Sequence, residues 1–273
     1  MTDTAVLYRV EDGVAVLTLN RPDARNAVTQ EMMRDLRRAL AEANADDAVR
    51  AVALHGNGPC FSAGFDIKEQ IENRPTGAEA WDGILRNEFE TVMGFWRSRK
   101  PTVSAVHGAC FGGSLQLATA CDLTIASEET RFAEPELQFG ATVVALTLPW
   151  LVAPKIAKEI ILTGEANLSA RRAYEIGLVN RITPTGAALD EALSVARRIA
   201  AMDPGLVQRT KGAINLAFEA AAMSDALEQA LAIDLEIEAV GSPDKLRFLE
   251  IARTQGLKAA FAWRDSRFAR DGD

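Results

Sequence analysis

Three features of the sequence predict an α/β fold. Short β-branched runs alternate with helix-patterned stretches through the first half. Glycine-rich turns stand where strand passes into helix. After Pro154 the chain is mostly helical. The chain has 273 residues. At roughly 100–200 residues per domain, that is one large domain or one domain with an appendage. A chain of about this size buries around three quarters of its unfolded surface and needs no disulfide or metal staple.

Residues 5–10 and 14–19 are alternating and β-branched, and the turn Glu11-Asp12-Gly13 joins them as two strands. Met32, Leu36 and Leu40 recur four apart among Arg and Ala, which makes residues 29–43 an amphipathic helix. Residues 49–54 form a compact apolar run ending at Gly56, the pattern of a buried strand. Residues 78–96 are helical, residues 101–106 a strand, residues 114–121 of helix composition, and residues 122–126 a strand again. Further on, Ser169 is placed as the N-cap of a helix over 169–176 that Gly177 stops. Residues 178–182 are a last short strand. From Ala187 onward Ala- and Leu-rich helices follow one another, punctuated by Asp203-Pro204 and Ser242-Pro243, the second a helix start signal. A boundary near Pro204 divides a core, 1–204, from a helical module, 205–273, whose alanine-rich faces suit subunit packing.

Composition narrows the function. Hydrophobic residues make up 48% and charged residues 25% of the chain, ordinary for a soluble globular protein. The net charge of -8, from 30 basic and 38 acidic residues, argues against nucleic acid or an anionic membrane as partner, while leaving room for a local basic site. Cys60, Cys110 and Cys121 are too scattered for a disulfide framework or a zinc site and fit a reducing cytoplasm. The only imidazoles are His55 and His107. The N-terminus lacks the basic start and apolar core of a signal peptide. The uncharged run 139–154, interrupted by Pro149, reads as a buried loop or pocket wall, not a membrane span.

Three segments are placed to carry chemistry. Residues 55–68 follow a strand and precede a helix. They expose amide N–H groups near Gly64 and Phe65 where an anionic oxygen can sit, and Asp66 with Glu69 has capping-box spacing. The run is not a dinucleotide fingerprint, because Phe61 replaces the third glycine. Residues 108–116 pass from strand to helix through Gly112-Gly113, which lets a ligand approach the backbone. In Arg131-Phe132-Ala133-Glu134-Pro135-Glu136, the two acids are either first-turn residues of a helix or a buried general base. Neither Ser62 nor Ser114 has the flanking glycines of a nucleophile elbow.

Taken in order, these pieces resemble the crotonase superfamily, the enoyl-CoA hydratase/isomerase family. The resemblance rests on Asn20-Arg21-Pro22 with Asn26-Ala27, Phe61 to Lys68, His107-Gly108 with Gly112-Gly113, Cys121-Asp122, Arg131 to Glu136, Leu162-Thr163-Gly164 and Ala173 to Val179. It spans almost the whole chain. It implies a crotonase-like spiral of strand–strand–helix turns with a C-terminal helical trimerisation region, assembled as a homotrimer or dimer of trimers. It implies acyl-CoA thioesters as substrates, with coenzyme A entering as part of the substrate and no metal or separate cofactor. The two N–H donors of the oxyanion hole map to Phe65 and Gly113. Ala63, Phe65, Asp66, Ile67 and Lys68 map to the path of the CoA, and Arg264 to its phosphates.

One position departs from the family. Its hydratases use two glutamates; the second maps to Glu136, but the first maps to Gln116, a neutral amide that positions water without serving as its base. Losing an acid–base group costs roughly 10²–10⁴ in rate. The family's glycine-rich loop past the second glutamate is here the bulkier run 140–147. The resemblance therefore implies double-bond isomerisation by Glu136 ahead of hydration. Alternatives on the same scaffold are an enoyl-CoA hydratase, a CoA-thioester hydrolase or decarboxylase, and a non-catalytic acyl-CoA binder. Glu134, two residues from Glu136, is expected to point elsewhere.

Overall fold

A computed structural model describes residues 4–164 and 166–268. The ends of the two-part division, 1–3 and 269–273, lie outside the described residues. Strands β1 (Val6–Glu11) and β2 (Val14–Leu19) form an antiparallel pair in which Glu11 faces Val14. The tight turn between them needs positive φ at both central residues, which Asp12 (φ 49°) and Gly13 (φ 76°) supply. Helix α1 (Gln30–Ala45) follows, with Thr29 Oγ1 accepting from Met32 N as its N-cap. Strand β3 (Ala51–Gly56), helices α2 (Ile67–Asn73) and α3 (Gly77–Arg97), strands β4 (Thr102–Val106) and β5 (Ala109–Phe111), and helix α4 (Gly113–Thr119) come next. Strands β6 (Leu123–Ser127) and β7 (Arg131–Ala133) lead through a 3-10 turn at Glu136–Phe139 to helices α5 (Leu148–Leu151) and α6 (Pro154–Thr163). The remainder is β8 (Leu168–Ser169), α7 (Ala170–Glu175), β9 (Arg181–Thr183) and helices α8 (Ala188–Ala200), α9 (Pro204–Ala220), α10 (Met223–Val240), α11 (Pro243–Gln255) and α12 (Leu257–Ser266).

Six strands form one sheet in the order β1-β2-β3-β4-β6-β9, parallel except for β1. All of β2 is buried, because the sheet is covered on both faces. Val14 and Val16, with Ala51, Ala53, Val103 and Ile125, meet Ala192, Leu193 and Ala196 of α8. Ala15, Leu17 and Leu19 point the other way, into the main core with Met32, Leu36 and Leu40 of α1 and Phe89, Val92 and Phe95 of α3. Each such fully buried side chain contributes about 1.5–3 kcal/mol. A second, three-stranded sheet has the order β5-β7-β8. Its strands of two or three residues carry no readable period, which is why sequence patterning does not find them.

The expected caps are present. Ser169 Oγ accepts from Arg172 N, Ser242 Oγ accepts from Lys245 N, and Asp66 Oδ1 accepts from Lys68 N and Glu69 N. Beyond Pro204, α9 is tied to the core by Lys211, whose Nζ donates to Asp122 Oδ2 at 2.7 Å and to Lys100 O at 3.2 Å. Helix α10 packs along α3, and α11 and α12 pack on each other and return to α2 and the 3-10 turn. The late helices therefore wall the cavity described next.

Candidate active site

The motif around Asn26 builds the loop that presents residues 63–65. Asn26, fully buried, donates through Nδ2 to the carbonyls of Asn57, Cys60 and Phe61, and its Oδ1 accepts from Arg21 N at 2.9 Å. Arg21 in turn pairs with Asp66 at 2.8 Å. The two candidate serines are bracing groups. Ser62 Oγ donates to Asn26 O and accepts from Gly64 N, and Ser114 Oγ donates to Ser62 O and Phe111 O. His55 bonds Thr18 Oγ1 at 2.7 Å, and burial pushes its pKa down to about 4, so it stays neutral; His107 bonds Gly58 O.

The loop and the start of α4 meet at their glycines. Gly64 has φ 97°, and a methyl group there would lie 2.7 Å from Phe111 O and 3.7 Å from Gly113 N. Gly112 (φ 54°, ψ -128°) occupies a region essentially reserved for glycine, and a methyl group there would collide with Glu136 Oε1. Among the described residues, neither the Phe65 nor the Gly113 N–H donates to a protein acceptor. Both residues line a cavity of about 450 Å³ that also reaches Ala63, Ile67, Glu136 and Arg264. Asp66 and Lys68 are not in that lining. Asp66 is spent on the α2 cap and on Arg21, and Lys68 opens α2.

Glu136 begins the 3-10 turn after Pro135, and its Oε2 is buried without a partner. Burial pushes its pKa up to about 7. Glu134 does not point elsewhere. The turn at Pro135 (φ -90°, ψ 9°) folds the chain so that Glu134 and Glu136 face each other, and Glu134 is held well above the usual carboxylate range by burial and then by the Glu136 charge.

Gln116 lies behind this pair and outside the cavity lining. Its Nε2 donates to Glu134 Oε1 at 2.8 Å, and its Oε1 accepts from Ala145 N at 2.9 Å. Each end of the amide makes one of these bonds, so it couples Glu134 to the 141–147 segment and is held away from the cavity. Replacing it with leucine is expected to cost about 2–4 kcal/mol in a urea unfolding titration, because a buried N–H and a buried carboxyl each lose a partner. Of the uncharged run, Ala141, Thr142 and Val144 are pocket wall, as expected.

Sequence reasoning missed half of the enclosure. Trp81, Leu85 and Glu88 of α3, Asp234 and Glu238 of α10, and Lys245, Phe248, Leu249 and Phe261 of α11 and α12 also line the cavity. Phe139, Phe248 and Phe261 stack edge to face with centroids 5.1–5.9 Å apart, and Arg264 lies 4.4 Å over the Phe139 ring with its guanidinium bonded to Asp265. A signal was present: Glu88 falls on the buried stripe Trp81, Leu85, Phe89, Val92, and Asp234 and Glu238 continue the stripe Met223, Leu227, Leu231. Among the described residues, no group of three or more His, Cys, Asp or Glu is arranged to hold a metal ion, and no helix is long and apolar enough to cross a membrane.

Residues 9–242 match the enoyl-CoA hydratase/isomerase family profile. The chain is 32% identical over 263 residues to a short-chain-enoyl-CoA hydratase of Clostridium acetobutylicum, covering 93% of this chain and 97% of that one. It is 34% identical over 209 residues to a mitochondrial enoyl-CoA hydratase of Pongo abelii, covering 76% and 70%. A crystal structure of an enoyl-CoA hydratase/isomerase from Xanthobacter autotrophicus Py2 superposes with a TM-score of 0.97 at 54% identity, covering 98% of this chain and all of the other.

Proposed function

This chain belongs to the enoyl-CoA hydratase/isomerase family, and from that premise we propose that it shifts the double bond of an enoyl-CoA by proton transfer through Glu136. The observation that carries this reading is the position of Gln116, bonded to Glu134 and Ala145 outside the cavity lining. At the glycine pair, Glu136 is then the carboxylate that lines the cavity, its Oε1 beside Gly112.

In this mechanism the thioester oxygen sits between the N–H groups of Phe65 and Gly113. Glu136 takes a proton from C2 of a 3-enoyl-CoA, and the electron pair moves onto the thioester oxygen. The same carboxyl returns the proton at C4, leaving the double bond between C2 and C3. The backbone donors act on charge that exists only near the transition state, each typically worth about 3–4 kcal/mol. A pKa of about 7 suits a group that must both take and return a proton at neutral pH.

The reading extends to binding and assembly. Ala63, Ile67 and Arg264 contact the CoA portion, which arrives as part of the substrate. The exposed Leu206, Ile214 and Leu216 of α9 support packing against further copies, as a trimer or dimer of trimers. Three buried free thiols fit a cytoplasmic setting.

A second reading, addition of water to a 2-enoyl-CoA, is favoured by the hydratase names of the relatives and by the further carboxyl groups on the cavity wall. Incubation with a 3-enoyl-CoA in heavy water, followed by NMR, separates the two. Accumulation of 2-enoyl-CoA carrying little deuterium at C4, because one carboxyl returns the proton it took, is the expected result. Rapid conversion onward to 3-hydroxyacyl-CoA would establish the hydratase, and no turnover of any enoyl-CoA, together with thiol release from saturated thioesters, would establish a hydrolase.

A further inference from the structure

The cavity wall away from the glycine pair is charged. Glu88, Asp234, Glu238 and Lys245 are 2%, 1%, 5% and 7% exposed, and all four line the cavity beside Trp81 and Thr142. Lys245 is already satisfied: its ammonium is ion-paired with Glu238 and lies 4.1 Å from the centroid of the Trp81 ring. Glu88 and Asp234 are not. Asp234 Oδ1 accepts from the Thr142 hydroxyl, but its Oδ2 is buried with no partner. Glu88 receives one long bond of 3.5 Å from Gln30 Nε2. Burial, followed by their mutual repulsion, raises the pKa of Glu88, which feels Asp234 and Lys245 more strongly than Glu136. Glu136 sits against Gly112, whereas Asp234 is bonded by Thr142 and Glu88 by Gln30.

This placement is costly for an ordinary alkyl chain. A hydrocarbon tail laid against Asp234 and Glu88 would displace water and give nothing back to two buried carboxyl groups. Each unmatched polar group costs about 1–3 kcal/mol, and more if charged. A tail that donates hydrogen bonds offers Oδ2 the partner it lacks. The distinction is one of specificity, because a site built to pair a polar group rejects the analogue lacking it far more strongly than an apolar pocket rejects a change of size.

We propose that the acyl pocket selects a CoA thioester whose chain carries a hydrogen-bond donor beyond the reacting carbons, a hydroxyl or a protonated amine, received by Asp234 Oδ2 and Glu88. Asp234 and Glu88 are then specificity residues, and the Glu238–Lys245 pair with Trp81 braces them. The inference rests on the acyl-CoA reading given above.

Calorimetric binding of saturated acyl-CoAs tests it, since these cannot be isomerised. The probes are a series of increasing chain length, each in a plain alkyl, a terminally hydroxylated and a terminally aminated form. At the best length, a donor-bearing form is expected to bind at least about tenfold tighter than the alkyl form. Asp234→Leu should abolish or reverse that preference. Asp234→Asn, nearly isosteric and less disruptive of folding, should keep the hydroxyl preference and lose the amine preference. Which form wins in the unmodified protein identifies the donor. Alkyl forms binding as tightly as donor-bearing ones at every length would overturn the inference and leave the acyl-CoA reading standing. Failure of every thioester to bind would overturn both.

Discussion

Glu136→Gln lowers turnover of a 3-enoyl-CoA by about 10²–10⁴-fold while acyl-CoA affinity changes little, because the amide keeps the shape of the carboxyl and loses only its ability to take a proton. The environment of Glu136 supports so large an effect. The neighbouring carboxyl of Glu134, pushed well above the usual carboxylate range by burial and by Glu136, lies outside the cavity lining. In the unmodified protein the same group sets the pH profile. As a base it works deprotonated, so kcat/KM rises with pH and levels off above about 7, the value to which burial pushes it. An ordinary exposed glutamate would level off near its usual pKa of about 4.3. Steady-state rates across the acid and neutral range, with binding followed separately by calorimetry, check both statements. A Glu136→Gln protein retaining more than about a tenth of its turnover would remove Glu136 from the chemistry.

Gly112→Ala is the second change with a large effect, and it acts twice. The backbone at φ 54° and ψ -128° is hostile to any side chain, at about 1–3 kcal/mol. The added methyl also falls where Glu136 Oε1 now lies, so the carboxyl must turn away from the thioester site. A displacement of even about 1 Å costs on the order of 10²-fold in rate. The expected outcome is a lowered urea midpoint together with a kcat loss of that order. Gly177→Ala is the control. Its φ of 82° also lies in the left-handed region that disfavours a side chain, yet no atom lies within 4 Å of the added methyl. It should lose stability and keep kcat. Equal kcat losses in the two variants would mean that global destabilisation, not Glu136 placement, accounts for the effect.

Several structural roles were legible because they are local. The Asp12-Gly13 turn, the caps at Asp66, Ser169 and Ser242, and the stripe Met32, Leu36, Leu40 all depend on residues close together along the chain. The ordered motifs likewise pointed to the family, and the positions of Phe65, Gly113 and Glu136 around one cavity follow from them. The small sheet β5-β7-β8 was not legible, since two or three residues cannot display a period of two.

Gln116 shows where sequence reading stops. Its neutrality was plain from the sequence and already weakened the case for a two-glutamate hydratase. What the amide does instead depends on Glu134 and Ala145, 18 and 29 residues away, and only the packed structure fixes both bonds. Glu134 is similar: its direction is set by the turn at Pro135 and by the partner waiting for it, not by its distance from Glu136 along the chain.

The sequence by itself therefore determined the fold class, the caps at Asp66, Ser169 and Ser242, and the glycine pair that opens α4. Tertiary structure alone decided the other wall of the cavity. Glu88, Asp234, Glu238 and Lys245 come from separate parts of the chain, and the buried stripes that carry the first three do not show that they meet. Their significance arises only when α3, α10 and α11 close on the same space. Burial then removes the water that would have made their charges unremarkable, and the energy of a buried charge depends on what surrounds it, which no local pattern records.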